Sequence, residues 1–237
     1  LPIYAHAQDP HPADDGIYTM DLNTGEYRLI ISYDEMRHFS PKDSMQHSQH
    51  RFNHIHIAPD GSNFVWLHRW HDAQGRRVDR LLTADIDGGN VRIVADDGYI
   101  SHIDYYTSQQ VVAWSRQHDI GKRYFRYSRM TKVVDVLGET VFDSDGHCSF
   151  SPDRQWMLTD TYPDETHHRT LILYHIASDT RINIGRFYAP PNLSGPIRCD
   201  LHPRWSRDGR QVCIDSAHEG ERQMYVIDVS PIIDTYA

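Results

Sequence analysis

Four stretches of this chain, RFNHIHIAPDGSNFVW, YISHIDYYTSQQVVAW, DGHCSFSPDRQWMLT and DLHPRWSRDGRQVCI, align with one another without gaps. His54, His102, His147 and His202 fall in one column, five residues before Pro59, Thr107, Pro152 and Arg207, at spacings of 48, 45 and 55 residues. A period in that range, with strand-like alternation and an S-P-D-G type of turn in each unit, is the signature of a β-propeller blade. Equivalent positions on successive blades sit at one height around a central axis. The column therefore predicts an arc of imidazoles at the mouth of the channel, in an all-β fold of four-stranded antiparallel blades.

Each unit reads as four strands. The first carries the column histidine and ends in a turn such as Ala58-Pro59-Asp60-Gly61 or Ser206-Arg207-Asp208-Gly209, whose Asp and Gly suit tight connections. A second strand follows, as in Asn63–Leu67 or Gln155–Asp160. The third is a further visible repeat: IYTMDLNTG from Ile17, LLTADIDGG from Leu81, LILYHIASD from Leu171 and MYVIDVS from Met224, with YFRYSRMTK from Tyr124 as a degenerate copy. A short apolar strand closes each unit. Complete blades are expected at about 51–98, 100–140 and 146–185, with partial blades at 1–33 (including a strand at Pro2–Ala7) and 201–230. The partial ends duplicate two strands and do not merge into one blade. Because an open end exposes strand edges, the count makes the chain a segment of a larger, seven-bladed propeller, with closure as a five-bladed ring the alternative.

Composition bounds the function. The net charge of −9 speaks against general nucleic-acid binding, which needs a basic face, and no run reaches the roughly 20 apolar residues of a membrane span. An anionic ligand must then be met by locally concentrated Arg or by a metal. The three cysteines, Cys148, Cys199 and Cys213, are too few and too odd in number for a disulfide framework and read as reduced or buried thiols. The sequence begins at Leu1 with no charged-then-apolar segment, so a targeting signal is expected to have been removed or to lie outside it. Soluble protein of the cytoplasm or periplasm is the expectation, with the compartment open.

Alternation in the first strand separates a polar set (His54/His56, His102/Asp104, His147/Ser149, His202/Arg204) from an apolar set (Ile55/Ile57, Ile103/Tyr105, Cys148/Phe150, Pro203/Trp205) that should pack blade on blade. Two readings of the polar set stand open. Three or four converging imidazoles suit a divalent ion, with Asp145 and Asp200, each two residues before a column histidine, orienting the rings. Alternatively each imidazole bonds separately between blades. The connections on the same rim are rich in functional groups: Tyr33–His50 holds Arg37, His38, Lys42, His47 and His50, and Arg186–Cys199 holds Tyr188 and Arg198. Further connections bring Arg69, His71, His118, Tyr162, Asp164, His167, His168, His218, Glu219 and Arg222.

HIHIAPDG (His54–Gly61), DGHCSFSPDRQWMLTDTYPD (Asp145–Asp164) and RCDLHPRWSRDG (Arg198–Gly209) resemble TolB-like propeller repeats and, among enzymes, the oligogalacturonate lyases and related propeller polysaccharide lyases. That resemblance implies a divalent metal, Mn or Zn, held in the channel by histidines. The matching residues are His54, His56, His147 and His202, and His102 joins them by register. Arg51 stands where the family's Q-x-x-H-x-H arrangement would place glutamine. The implied reaction is β-elimination from an acidic oligosaccharide. A base removes the proton α to a uronate carboxylate while a metal or Arg fork neutralises that carboxylate. Arg69 and Arg198 are the expected carboxylate contacts and Tyr188 or a rim histidine the proton carrier. Arg51, His71, Tyr162 and Arg222 are the expected substrate-binding groups. The competing expectation is a non-catalytic binding or scaffold propeller. A propeller preceding a separate hydrolase domain is a third, since the chain has no G-x-S-x-G elbow. The propeller ends are expected to meet further blades or another chain.

Overall fold

The computed structural model describes residues 8–131 and 134–236, so the strand expected at Pro2–Ala7 lies outside the described residues. The chain divides into two compact units, residues 1–100 with 128–132, and residues 101–127 with 133–237. Apart from short helical pieces the secondary structure is antiparallel β throughout, in the up-and-down blades of a propeller.

The first unit opens with a hairpin of β1 (Gly16–Met20) and β2 (Tyr27–Ser32). Among the described residues these two strands pair with each other alone. A four-stranded meander follows: β3 (Arg51–Ile57), β4 (Asn63–His71), β5 (Arg77–Asp85) and β6 (Arg92–Gly98). Ile17 and Ile31 of the hairpin pack with Phe64, Trp66, Leu82 and Ala84 of the meander, all nearly inaccessible to water. Each such side chain contributes roughly 1.5–3 kcal/mol on burial. The segment Tyr33–His50, expected as a loop, contains a helix, α1 (Tyr33–His38). Its signal was present in the sequence as Ser32-x-x-Glu35. The Ser32 hydroxyl accepts from the Glu35 amide at 3.1 Å, and the Glu35 carboxylate accepts from the Ser32 amide at 2.7 Å, a reciprocal capping box.

The second unit carries two four-stranded meanders and a three-stranded sheet. The first comprises β7 (Ile100–Thr107, from Ser101 in this unit), β8 (Gln110–Gln117), β9 (Gly121–Ser128) and β10 (Val134–Leu137). The second comprises β11 (Ser149–Phe150), β12 (Trp156–Asp160), β13 (His168–His175) and β14 (Thr180–Tyr188). The last comprises β15 (Arg204–Trp205), β16 (Gln211–Ser216) and β17 (Gln223–Asp228), followed by a single turn of helix, α2 (Ser230–Ile233). Trp156, Leu158, Leu171 and Leu173 of one sheet meet Val212 and Ile214 of the next in one core cluster, joined by Leu201 and Val229. The three cysteines are unbridged, with Cys148 and Cys199 buried.

The column histidines depart from simple strand geometry in three of four repeats. His102 lies within β7. His147 and His202 instead precede β11 and β15 by two residues, because each of those strands is only two residues long. In β3 the pairing with β4 slips between Asn53 and His56, and His54 has φ 51°, so the alternation expected for His54 and His56 is broken by a bulge. His202 also has a left-handed backbone, φ 40°. The apolar set packs as expected at Ile103, Tyr105, Cys148 and Phe150, all buried, but Ile55 and Ile57 are 49% and 62% exposed. The bulge in β3 accompanies that difference.

Candidate metal and carboxylate site in the second unit

Three column histidines come together in the second unit. The rings of His102 and His147 lie 4.0 Å apart between centroids, and those of His147 and His202 4.1 Å apart. Tyr162, just beyond β12, sits 6.1 Å from the first ring and 6.2 Å from the second. His147 is placed by a close approach of backbone. A Cβ on Gly146 would stand 1.8 Å from the Asp160 carbonyl oxygen, so only glycine fits there. The approach lets the His147 amide donate to Asp160 Oδ1 at 2.7 Å. The Tyr124 hydroxyl, donating to the Gly146 carbonyl at 2.9 Å, holds the same segment.

Two of the rings are backed by carboxylates. His102 Nδ1 lies 2.9 Å from Asp145, and His147 Nδ1 lies 2.9 and 3.0 Å from the two oxygens of Asp160. An ionised carboxylate only accepts, so each Nδ1 carries the proton and each Nε2, on the other side of the ring, presents a lone pair. This is the arrangement that fixes a metal-ligating imidazole in its tautomer and raises its basicity. Asp145, expected to orient a ring, thus lies against that of His102. Asp160 was missed, although β-pairing could have found it: Ser149 faces Leu158, so two steps back His147 faces Asp160.

Asp200 was expected to orient a ring, and it has a different environment. Arg169 NH2 bonds Asp200 Oδ1 at 2.6 Å, while Arg198 donates to Oδ1 at 2.7 Å and to Oδ2 at 2.6 and 2.8 Å. Burial works against the charged carboxylate, but the Arg198 hydrogen bonds and the two guanidinium charges prevail and hold its pKa below the usual range. Its Oδ2 lies 4.0 Å from His147 Nε2. His147, Asp200 and His202 each offer a donor atom within 4.8 Å of the others, a set that a divalent ion could draw together. His202 is exposed, and its pKa is lowered by desolvation first and by its neighbour His147 second. Both guanidinium groups also lie against Tyr162, at 5.8 Å for Arg169 and 5.3 Å for Arg198. Burial, followed by the charge of Asp145, raises the pKa of that phenol.

The donor set fits a divalent metal: imidazole nitrogens backed by carboxylates, with one further carboxylate beside them, suit Zn²⁺ or Mn²⁺. His147, Asp200 and His202 are the residues that would hold it, with His102 next to them in the row. Tyr162 and Arg198 join the cluster. Tyr188, at the end of β14, is 41% exposed and meets His168 edge-on at 5.5 Å. Arg222 is exposed beyond β16.

Arg51, His54, His56, Arg69 and His71 belong to the first unit. Arg69 is occupied in packing: its Nε lies 2.9 Å from the fully buried Asp79, and its NH2 donates to the Ile100 carbonyl at 3.0 Å. Arg51 is exposed and lines a cavity with Tyr33, Gln49, Phe52 and Asn53. His71 is exposed, and its carbonyl accepts from the Ser48 hydroxyl. Among the described residues no helix is long and apolar enough to cross a membrane.

No protein-family model and no curated protein matches this chain. Solved structures do. An oligogalacturonate lyase from Vibrio parahaemolyticus is 16% identical over 89% of this chain and 53% of its own, with a TM-score of 0.63. TolB from Acinetobacter baumannii is 10% identical over 89% of this chain and 56% of its own, with a TM-score of 0.52. An oligogalacturonate lyase in complex with manganese is 11% identical over 88% and 70% of the two chains, with a TM-score of 0.51. The chain spans about half the length of the first two. At these identities the likeness is one of fold, and the chain has the β-propeller fold.

Proposed function

We propose that this chain carries the site of a metal-assisted polysaccharide lyase, acting by β-elimination on uronic-acid-containing oligosaccharides of the oligogalacturonate type. The observation that carries the reading is the row of His102, His147 and His202, with ring centroids 4.0 and 4.1 Å apart and carboxylates behind two of the three rings. Mutual packing alone does not require that Asp145 and Asp160 both fix the lone pair on Nε2. The manganese complex of a lyase with the same fold adds support. The ion, Mn or Zn, would supply positive charge at the uronate carboxylate as the α-proton leaves.

The remaining tasks fall to the chain. Arg198, 43% exposed and presented beside Tyr162, binds and orients the sugar carboxylate, and the Tyr162 ring offers a flat face to the sugar. Tyr188, exposed, with the half-buried His168 on the same sheet, is the pair we assign to proton movement. The test is metal analysis of the purified protein together with ultraviolet absorbance of the unsaturated product during incubation with oligogalacturonate. Bound Mn or Zn in a 1:1 ratio with metal-dependent product formation supports the reading. A metal-free, inactive protein that stays metal-free after incubation with either ion contradicts it.

A second reading is a binding or scaffold propeller. It is favoured by the complete pairing of Asp200 with Arg169 and Arg198, which a purely structural ion network would also show.

A further inference from the structure

Two arginines share one buried carboxylate here, and they differ in what they can do. Arg169 is 2% exposed, Asp200 5% and Arg198 43%. The same two arginines line a cavity of about 220 Å³ with Pro163, His167, Pro190 and Leu193. Removing Arg169 from Asp200 would strand two buried charges. Removing Arg198 strands none, because Arg169 stays on Oδ1 and the Arg198 head is already at the surface. The oxygen that Arg198 covers from two of its nitrogens is Oδ2, and Oδ2 is the atom that faces His147 Nε2 at 4.0 Å.

Resting on the lyase reading above, we propose that Arg198 is a substrate-operated latch on Asp200. A sugar carboxylate entering the cavity takes over the Arg198 guanidinium, and Oδ2 is thereby released toward the ion held by His147 and His202. Bidentate exchange from one carboxylate to another keeps the guanidinium paired throughout, so the exchange needs no unpaired charge at any point. Carboxylate and metal then bind with positive cooperativity, and linkage requires the effect to be equal in both directions. Arg198 is in this account a specificity-determining residue: a neutral sugar fills the cavity without turning the latch.

Titration calorimetry of Mn²⁺ into the folded chain tests this, performed alone, with D-galacturonate and with D-galactose. The expected result is at least fivefold tighter Mn²⁺ binding with galacturonate and no change with galactose. Arg198→Ala should bind Mn²⁺ more tightly than wild type from the outset and lose the galacturonate effect. Galacturonate coupling that persists in Arg198→Ala overturns the latch, as does its absence in wild type, while the metal site stands. A wild-type chain that binds no Mn²⁺ overturns the latch, and one that binds neither Mn²⁺ nor Zn²⁺ overturns the metal reading with it.

Discussion

Each unit of this molecule gathers histidines, and the two gatherings are built on opposite charges. In the first unit His11, His50 and His68 are buried, with Arg80 fully enclosed beside them. Arg80 Nε donates to His68 Nδ1 at 3.1 Å, which makes His68 Nε2 the donor to His50 Nδ1 at 3.0 Å, and that in turn makes His50 Nε2 the donor to the Met45 carbonyl at 3.2 Å. His11 Nε2 donates to the same carbonyl at 3.1 Å. In the second unit the rings of His102 and His147 rest on Asp145 and Asp160. Burial first, with neighbouring cationic groups after it, disfavours charge on His50 and His68, and the chain headed by Arg80 spends both nitrogens of each on hydrogen bonds. A carboxylate on Nδ1 of each ring in the second pair leaves Nε2 with the lone pair, and that of His147 lies 4.0 Å from Asp200 Oδ2. What differs between the two is the group on the far nitrogen: a guanidinium in the first, carboxylates in the second.

The largest effect should come from breaking the enclosed chain. Arg80 also donates to the carbonyls of Met36, Phe39 and Ser40, tying down α1 and the segment after it. Arg80→Ala would leave the buried Met36 carbonyl and His68 unpaired and free the segment at half-buried Phe39 and exposed Ser40, and about 3–5 kcal/mol of stability should disappear in chemical denaturation. A loss below about 1 kcal/mol would show that this cluster is no cornerstone of the unit.

Acid should act on the same cluster. Burial, then the neighbouring His11, pushes His50 down to about 4 from 6.5, and burial also sets His68 well below its ordinary value. The unfolded chain therefore takes up protons between pH 6.5 and 4 that the folded chain refuses, so stability is full above pH 6.5 and falls as pH drops toward 4. Roughly 2 kcal/mol is expected from His50 alone, read as the shift of the denaturation midpoint between pH 7 and pH 4.5. Replacing His50 with Gln should flatten that slope.

The second cluster should respond in affinity more than in stability. Asp160→Asn removes the carboxylate from behind His147, and Mn²⁺ or Zn²⁺ binding should weaken about tenfold or more. Unchanged affinity would mean that the row is held for packing. At the other extreme His118, 98% exposed beside Asp119, has no ring neighbour among the described contacts. His118→Ala should alter neither denaturation nor metal binding, which separates histidines in organised clusters from those on loops.

How much of this was legible depended on sequence distance. The blades were legible because each buries a local alternating pattern, and the column of His102, His147 and His202 because equivalent positions recur. Asp145 was found because it lies two residues before His147. Asp160 and Arg169 were not, since only the pairing of β11 with β12 and of β12 with β13 brings them to the site. The enclosed cluster escaped for the same reason: His11 reaches Met45 across 34 residues and His50 reaches His68 across 18. Arg69 looked like a rim contact, but Asp79, ten residues on and paired with it across β4 and β5, claims its guanidinium. The left-handed backbones of His54 and His202 follow from bulges and strand ends that no periodicity encodes.

The central claim, that the row in the second unit is a metal centre, is tested most directly by Co²⁺ titration followed in the visible spectrum, on wild type and His147→Ala. Ligation by imidazole nitrogens at about 2.0–2.2 Å gives d–d bands that saturate at one ion per chain. The account predicts such saturation in wild type and its loss in His147→Ala, with the far-ultraviolet dichroism of the two proteins superimposable. No saturable bands in wild type, or the same bands in His147→Ala, would contradict it.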